Sequence, residues 1–204
     1  MEVLEVSEAP VIASHSSVRA LRDHSRNLDD EQLRALAENG GVMQTVAFDS
    51  YLKDPSARNE AMAALREEIG LPARGRGGRG GGRGVEMSEE ERQQMETMQA
   101  EFERRVAAEI DPEFPPANVE DLVDHIDYAV DLIGIDHVGI SSDFDGGGGI
   151  EGWDNAAETF NVTHELVRRG YTEEEIAKLW SGNLLRVWAQ VEEVAQRLQA
   201  EGGM

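Results

Sequence analysis

Read for its alternation of apolar and polar positions, the chain resolves into three short buried strands separated by amphipathic helices. Val11-Ile12-Ala13-Ser14 is led in by Pro10 and stops at His15, and residues 42–48 form a second apolar run ended by Asp49-Ser50. The third run, 138–142, is β-branched and bounded by a polar start and a glycine stop; it leads into Asp143-Phe144-Asp145 and the glycines at 146–149. Between the first two strands, Leu33, Leu36 and Ala37 share one face of a helix that Asn27 or Asp29 can cap and Gly40-Gly41 ends. A longer amphipathic helix over 119–133 carries Leu122, Ile126, Ala129, Val130 and Ile133. Helices follow near 160–169, behind a capping box at Thr172 and Glu175, and from about 183 to 198. Strands that alternate with helices across short connections predict a parallel α/β arrangement. Residues 2–8 look like the last turns of a helix with no N-cap before them, so Met1 reads as an internal methionine of a longer chain.

The rhythm breaks over 51–118. A helix is expected from Pro55-Ser56 to about Ile69, and Ser88 with Glu91 makes a second capping box. Behind that box Met95, Met98, Phe102 and Val106 form one apolar stripe, read as packing. Between them, 73–84 is a run of glycine and arginine that cannot pack a core and is expected to be a flexible surface loop. The chain is therefore read as one parallel α/β domain over 1–204 with a helical insertion at 51–118.

Composition narrows the partners. A formal charge of −22 excludes nucleic acid, because neutralising phosphates needs the opposite sign. The chain of 204 residues is 40% apolar, enough for a core, yet has no run near the roughly 20 apolar residues of a membrane span. With no cysteine, any metal would rest on His, Asp and Glu, and cytoplasm and cell envelope both stay open.

Parallel neighbouring strands share one rim at their C-terminal ends, where α/β folds gather their chemistry. His15, Asp49, Asp143 and Asp145 fall there, a pattern suited to a hard metal or to acid–base work. The competing reading is that His15 and the aspartates cap turns and helices. His24, His125, His137 and His164 lie in a loop, in helices or at the wrong end of a strand. Asp143-Phe144-Asp145-Gly146 also has the form of a phosphatase nucleophile motif, but no suitable strand-borne acidic pair follows it. As a calcium loop it lacks the Glu at position twelve, where Asp154 stands.

Pro10 to Ser17, which ends in Ser14-His15-Ser16-Ser17, then Asp23 to Asn27, Val138 to Gly146 with its Asp143-Phe144-Asp145, and Asn183 to Trp188, in this order, resemble the C-terminal part of the membrane (renal) dipeptidase family. That resemblance implies the last three strands of a (β/α)8 TIM barrel of the metal-dependent hydrolase type, and zinc-dependent hydrolysis of dipeptides. It implies that His15 ligates one of two zinc ions, that Arg26 binds the substrate's terminal carboxylate, and that Asp143 takes and passes on the proton of a metal-bridging hydroxide, with Asp145 in support. The glycines after Asp145 are then room for substrate, and a homodimer is the implied assembly. The family's His-x-Asp strand, its bridging Glu and a further His have no counterpart here. The isolated chain is accordingly expected to be inactive. The alternative from another class is a non-catalytic fragment, or a subunit that completes its barrel with a partner chain.

Overall fold

The computed structural model describes residues 2–72 and 88–202, and the whole glycine–arginine tract expected at 73–84 lies outside them. In chain order the elements are α1 (Glu2–Val6), β1 (Ile12–Ser16), α2 (Asp30–Glu38), β2 (Val42–Val46), α3 (Asp49–Leu52), α4 (Ser56–Ile69) and α5 (Glu89–Arg105). Then come α6 (Val119–Ile133), β3 (Val138–Ser141), α7 (Thr159–Arg168), α8 (Glu173–Ala177) and α9 (Asn183–Glu201). The contacts divide the chain into two compact units, Met1–Asp54 with Ala117–Met204, and Pro55–Pro116.

The first unit is built on a parallel sheet in the order β1-β2-β3. All five residues of the central strand β2 are buried, as expected for a parallel strand with neighbours on both sides. Among the described residues, β1 and β3 each pair along one edge only. Leu33 and Leu36 of α2 and Leu122, Val123, Ile126 and Ala129 of α6 join Met43, Val138 and Ile140 of the sheet in one core. Those helices start where local chemistry dictates. Asp29 and Gln32 exchange side-chain and backbone bonds of 2.9 and 3.0 Å, and Asn118 and Asp121 do the same at 3.0 Å. Outside the core, Arg169 ties α7 to α6 by bonding Glu165, Asp124 and Asp127 at 2.6–2.7 Å.

Gly41 marks the tightest point between helix and sheet. A Cβ there would collide with the Val11 carbonyl and come within 2.7 Å of the Leu36 side chain. That carbonyl cannot give way, because it accepts the Val42 N–H at 3.0 Å in the β1–β2 pairing. Gly41→Ala is expected to cost about 2 kcal/mol, read as a lower urea midpoint with an unchanged slope.

The second unit pairs α4 with α5. The α5 helix runs on into a wider turn, Val106–Ile110, where the Asp111 N–H reaches back to the Val106 carbonyl. Met95, Met98, Phe102 and Val106 do form one packing stripe, against Leu65, Leu71 and Ile110. Arg105 bridges Glu68 and Glu109 at 2.7 Å each, and Arg58 holds Asp111 at 2.6 Å.

Candidate active site

His15 lies inside β1 and not after it, as the sequence suggested. The strand runs on to Ser16 because its pairing with β2 slips: Ala13 sits opposite Met43, but Ser16 opposite Thr45. One extra residue on β1 makes a bulge, a device that re-aims side chains at the rims of sheets. The imidazole is exposed, shares a 2.9 Å hydrogen bond between Nδ1 and the Ser14 hydroxyl, and turns Nε2 to within 3.8 Å of Asp143 Oδ1. A histidine from β1 and a carboxylate from beyond β3 thus meet across the end of β2.

The Asp143 turn has an unusual backbone. Asp143 and Asp145 both take left-handed conformations, φ 55° and 61°. Such a residue costs roughly 1 kcal/mol unless it is Gly, although Asp tolerates the region better than most. Two features offset that cost. The Asp143 carbonyl accepts both the Gly146 and the Gly148 N–H at 3.0 Å. Phe144, between the two aspartates, meets Trp153 edge-on with ring centroids 5.4 Å apart, an arrangement worth about 1 kcal/mol beyond burial. A Cβ on Gly146 would strike the Asp143 carboxylate, and one on Gly148 the Ser142 carbonyl, so these two glycines are required by the packing of the turn itself.

The segment 17–28 is a tightly tied loop. Leu28 N–H bonds the Ser17 carbonyl and Arg19 N–H the Leu28 carbonyl, at 2.9 and 2.8 Å. The buried Asn27 donates to the carbonyls of Arg22 and Tyr51 at 2.9 and 2.8 Å. Arg19 and Arg22 are held by Asp29 and Asp54, each at 3.4 Å. Arg26 is exposed, and among the described residues no acidic group pairs with it. Its backbone N–H donates to His24 Nδ1 at 3.2 Å. Burial first, and then the charges of Arg22 and Arg26, push the His24 pKa below its ordinary value, which suits that acceptor role. His24 stacks on Tyr51 at 4.4 Å, Tyr51 meets Phe48 at 4.8 Å, and Phe48 lines the Gly147 turn. An aromatic row therefore joins the Arg26 loop to the turn that bears Asp143.

Asp49 does not belong to the rim site. Its carboxylate accepts the Ala117 N–H at 2.7 Å, a structural duty. His125, set aside on sequence grounds, holds the rim together from behind. It is 1% exposed, accepts the Val18 N–H at Nδ1 (3.0 Å) and donates from Nε2 to the Leu52 carbonyl (3.1 Å). It thus fixes the loop after β1 to the helix after β2. The available clue was a polar side chain inside the apolar stripe of Leu122, Ile126 and Ala129.

His15 and Asp143 offer two donors at one place. Among the described residues no group of three or more His, Cys, Asp or Glu side chains is arranged to hold a metal ion. Zinc sites take about four donors, or three and a water, so these residues alone do not fit one.

Dipeptidase ataJ of Aspergillus terreus is 31% identical over 202 residues, covering 98% of this chain and 35% of its own. Dipeptidase aclJ of Aspergillus oryzae is 28% identical, over 96% of this chain and 33% of its own. The chain thus spans about a third of the length of these relatives. Among solved structures, the probable dipeptidase PvdM of Pseudomonas aeruginosa is 40% identical with a TM-score of 0.67, over 94% of this chain and 47% of that one. A metallo peptidase of Rhodobacter sphaeroides, liganded with a phosphinate mimic of the dipeptide L-Ala-D-Ala, shares the fold at a TM-score of 0.60 and 22% identity, over 93% of this chain and 38% of its own. These parallel βα units are of the TIM-barrel type. Because the family model for membrane dipeptidase, peptidase family M19, matches residues 1–202, the chain belongs to that family.

Proposed function

We propose that the chain supplies the proton-transfer and carboxylate-binding part of a metallodipeptidase site. The observation that carries this is the approach of His15 to Asp143, 3.8 Å across the end of the sheet. Asp143, on a rigid left-handed turn, is the general base that takes a proton from the attacking water and returns it to the leaving amine. Arg26 anchors the substrate's C-terminal carboxylate, since a planar guanidinium matches a carboxylate in a two-point bond. His15 is proposed as a metal ligand. The two zinc ions implied by the resemblance need more donors than His15 and Asp143 provide, so the isolated chain is proposed to be inactive until another polypeptide supplies them.

The test compares two proteins on a panel of dipeptides. One is the purified 204-residue chain. The other is a graft in which it replaces the matching segment of the Pseudomonas aeruginosa probable dipeptidase. Hydrolysis by the graft and none by the chain alone is the expected result. A well-folded graft without activity would sink the reading, and chelator-sensitive activity in the chain alone would sink the claim that its donor set is partial.

In the active graft, Arg26→Ala is expected to raise KM about 10- to 100-fold with kcat little changed, the loss of one charge-assisted bond of 1.5–3 kcal/mol. Steady-state kinetics on a free dipeptide and its C-terminal amide check the assignment. The variant should discriminate against the amide far less than the parent does.

A further inference from the structure

We propose that Trp153 is a positioning residue for Asp143, acting through Phe144. The inference rests on the reading of Asp143 as the proton-transfer group, and it identifies what holds that group in place.

The Asp143 carboxylate is partly exposed, and the His15 imidazole approaches it at 3.8 Å from another strand. Its direction is therefore set by the backbone of its turn. The residue between the two left-handed aspartates is Phe144, so the ring of Phe144 and the conformations of both neighbours are mechanically linked. That ring ends on Trp153, which is 3% exposed. Trp153 is fixed on every side. Its indole N–H donates to Thr159 at 3.1 Å, and its backbone exchanges bonds with Ile150 at 2.9 and 3.3 Å. Its ring meets Trp180 edge-on at 5.7 Å, and Trp180 in turn donates to Thr163 at 3.0 Å. A line of three aromatic rings thus runs from the core to the Asp143 turn. Just beyond the turn, Gly149 packs so closely on Asp154 that a Cβ there would lie 2.6 Å from its carboxylate. Moving the Trp153 ring would release Phe144, and with it the left-handed backbone that aims Asp143.

The experiment uses the 204-residue chain, with the backbone carbon chemical shifts of Asp143 and Asp145 as reporters of left-handed conformation. Trp153→Leu and Phe144→Leu are each expected to abolish the left-handed signature at both aspartates while the resonances of β1, β2 and α6 stay in place. Trp153→Phe is expected to retain it. Where Trp153→Leu does not fold, Phe144→Leu decides, because Phe144 is only half-buried. Left-handed shifts that persist in a folded leucine variant overturn the proposal. In the active graft, Trp153→Leu should lower kcat about 100-fold, as expected for a catalytic group displaced by an ångström. KM should hold, because Arg26 sits on a separate loop, and Trp153→Phe should restore kcat. A general loss of stability would not separate kcat from KM in this way. A graft inactive with Trp153 intact would count against the dipeptidase reading alone, and the shifts would still judge Trp153.

Discussion

Replacing Asp143 by Asn in the active graft is expected to lower kcat by about 10²- to 10⁴-fold while KM changes little. The substitution is chosen for what it preserves. Asn tolerates the left-handed conformation that position 143 adopts at φ 55°. The bonds from Gly146 and Gly148 go to the backbone carbonyl of residue 143 and are untouched by the change. What is lost is the ability of the side chain to accept a proton. Kinetics alongside a thermal melt check this: the melting temperature should stay within a degree or two, while turnover collapses. A kcat within threefold of the parent would remove Asp143 from the chemistry.

The second large effect concerns stability. His125→Ala strips a partner from the Val18 N–H and from the Leu52 carbonyl, both buried. Each stranded group costs about 1–3 kcal/mol, so a loss of roughly 3 kcal/mol is expected, a large share of the 5–15 kcal/mol that holds a typical domain. The native residue carries a pH signature as well. Burial holds the His125 pKa below its ordinary 6.5, outweighing the Leu52 carbonyl and the charges of Asp124 and Asp121. The unfolded chain therefore takes up a proton here near pH 6.5 while the folded one resists. The stabilisation is fully present above that pH and declines as the pH falls below it. Urea midpoints between about pH 5 and 8 should fall towards acid more steeply for the parent than for His125→Ala. Parallel slopes would mean that the imidazole is not the group responsible.

The helices were legible in the sequence because their start signals are local. Ser88 with Glu91 and Thr172 with Glu175 form reciprocal caps, and every atom involved lies within four consecutive residues. The strands were legible as apolar runs, but their ends were not. The bulge that carries β1 past His15 depends on the register with β2, which no run of residues in β1 records. The short helix after β2 was missed because Asp49-Ser50 reads as a turn. What decides Asp49 is the Ala117 N–H, 68 positions away. His125 was missed for a related reason: its partners are backbone groups 107 and 73 positions away, and backbone groups leave no trace in side-chain spacing. The glycines of 146–149 were ambiguous in the sequence because a tight turn and an open cleft ask for the same residue. His15 and Asp143 were singled out by their place at strand ends, and Arg26 by motif resemblance alone; the 3.8 Å approach of His15 to Asp143 required the sheet order.

Among the described residues the sheet has one unpaired edge on β1 and another on β3, which bears on how copies of this chain behave in concentrated solution. Unpaired strand edges are templates for growth by edge-to-edge addition, which ends in insoluble assemblies. A formal charge of −22 opposes that addition, because two copies must bring like charges together before their edges can meet. The opposition reaches only about 8 Å at physiological ionic strength and about 3 Å at 1 M. Solubility of the isolated chain is therefore expected to fall as ionic strength rises, because salt removes the repulsion that keeps the β1 and β3 edges of different copies apart.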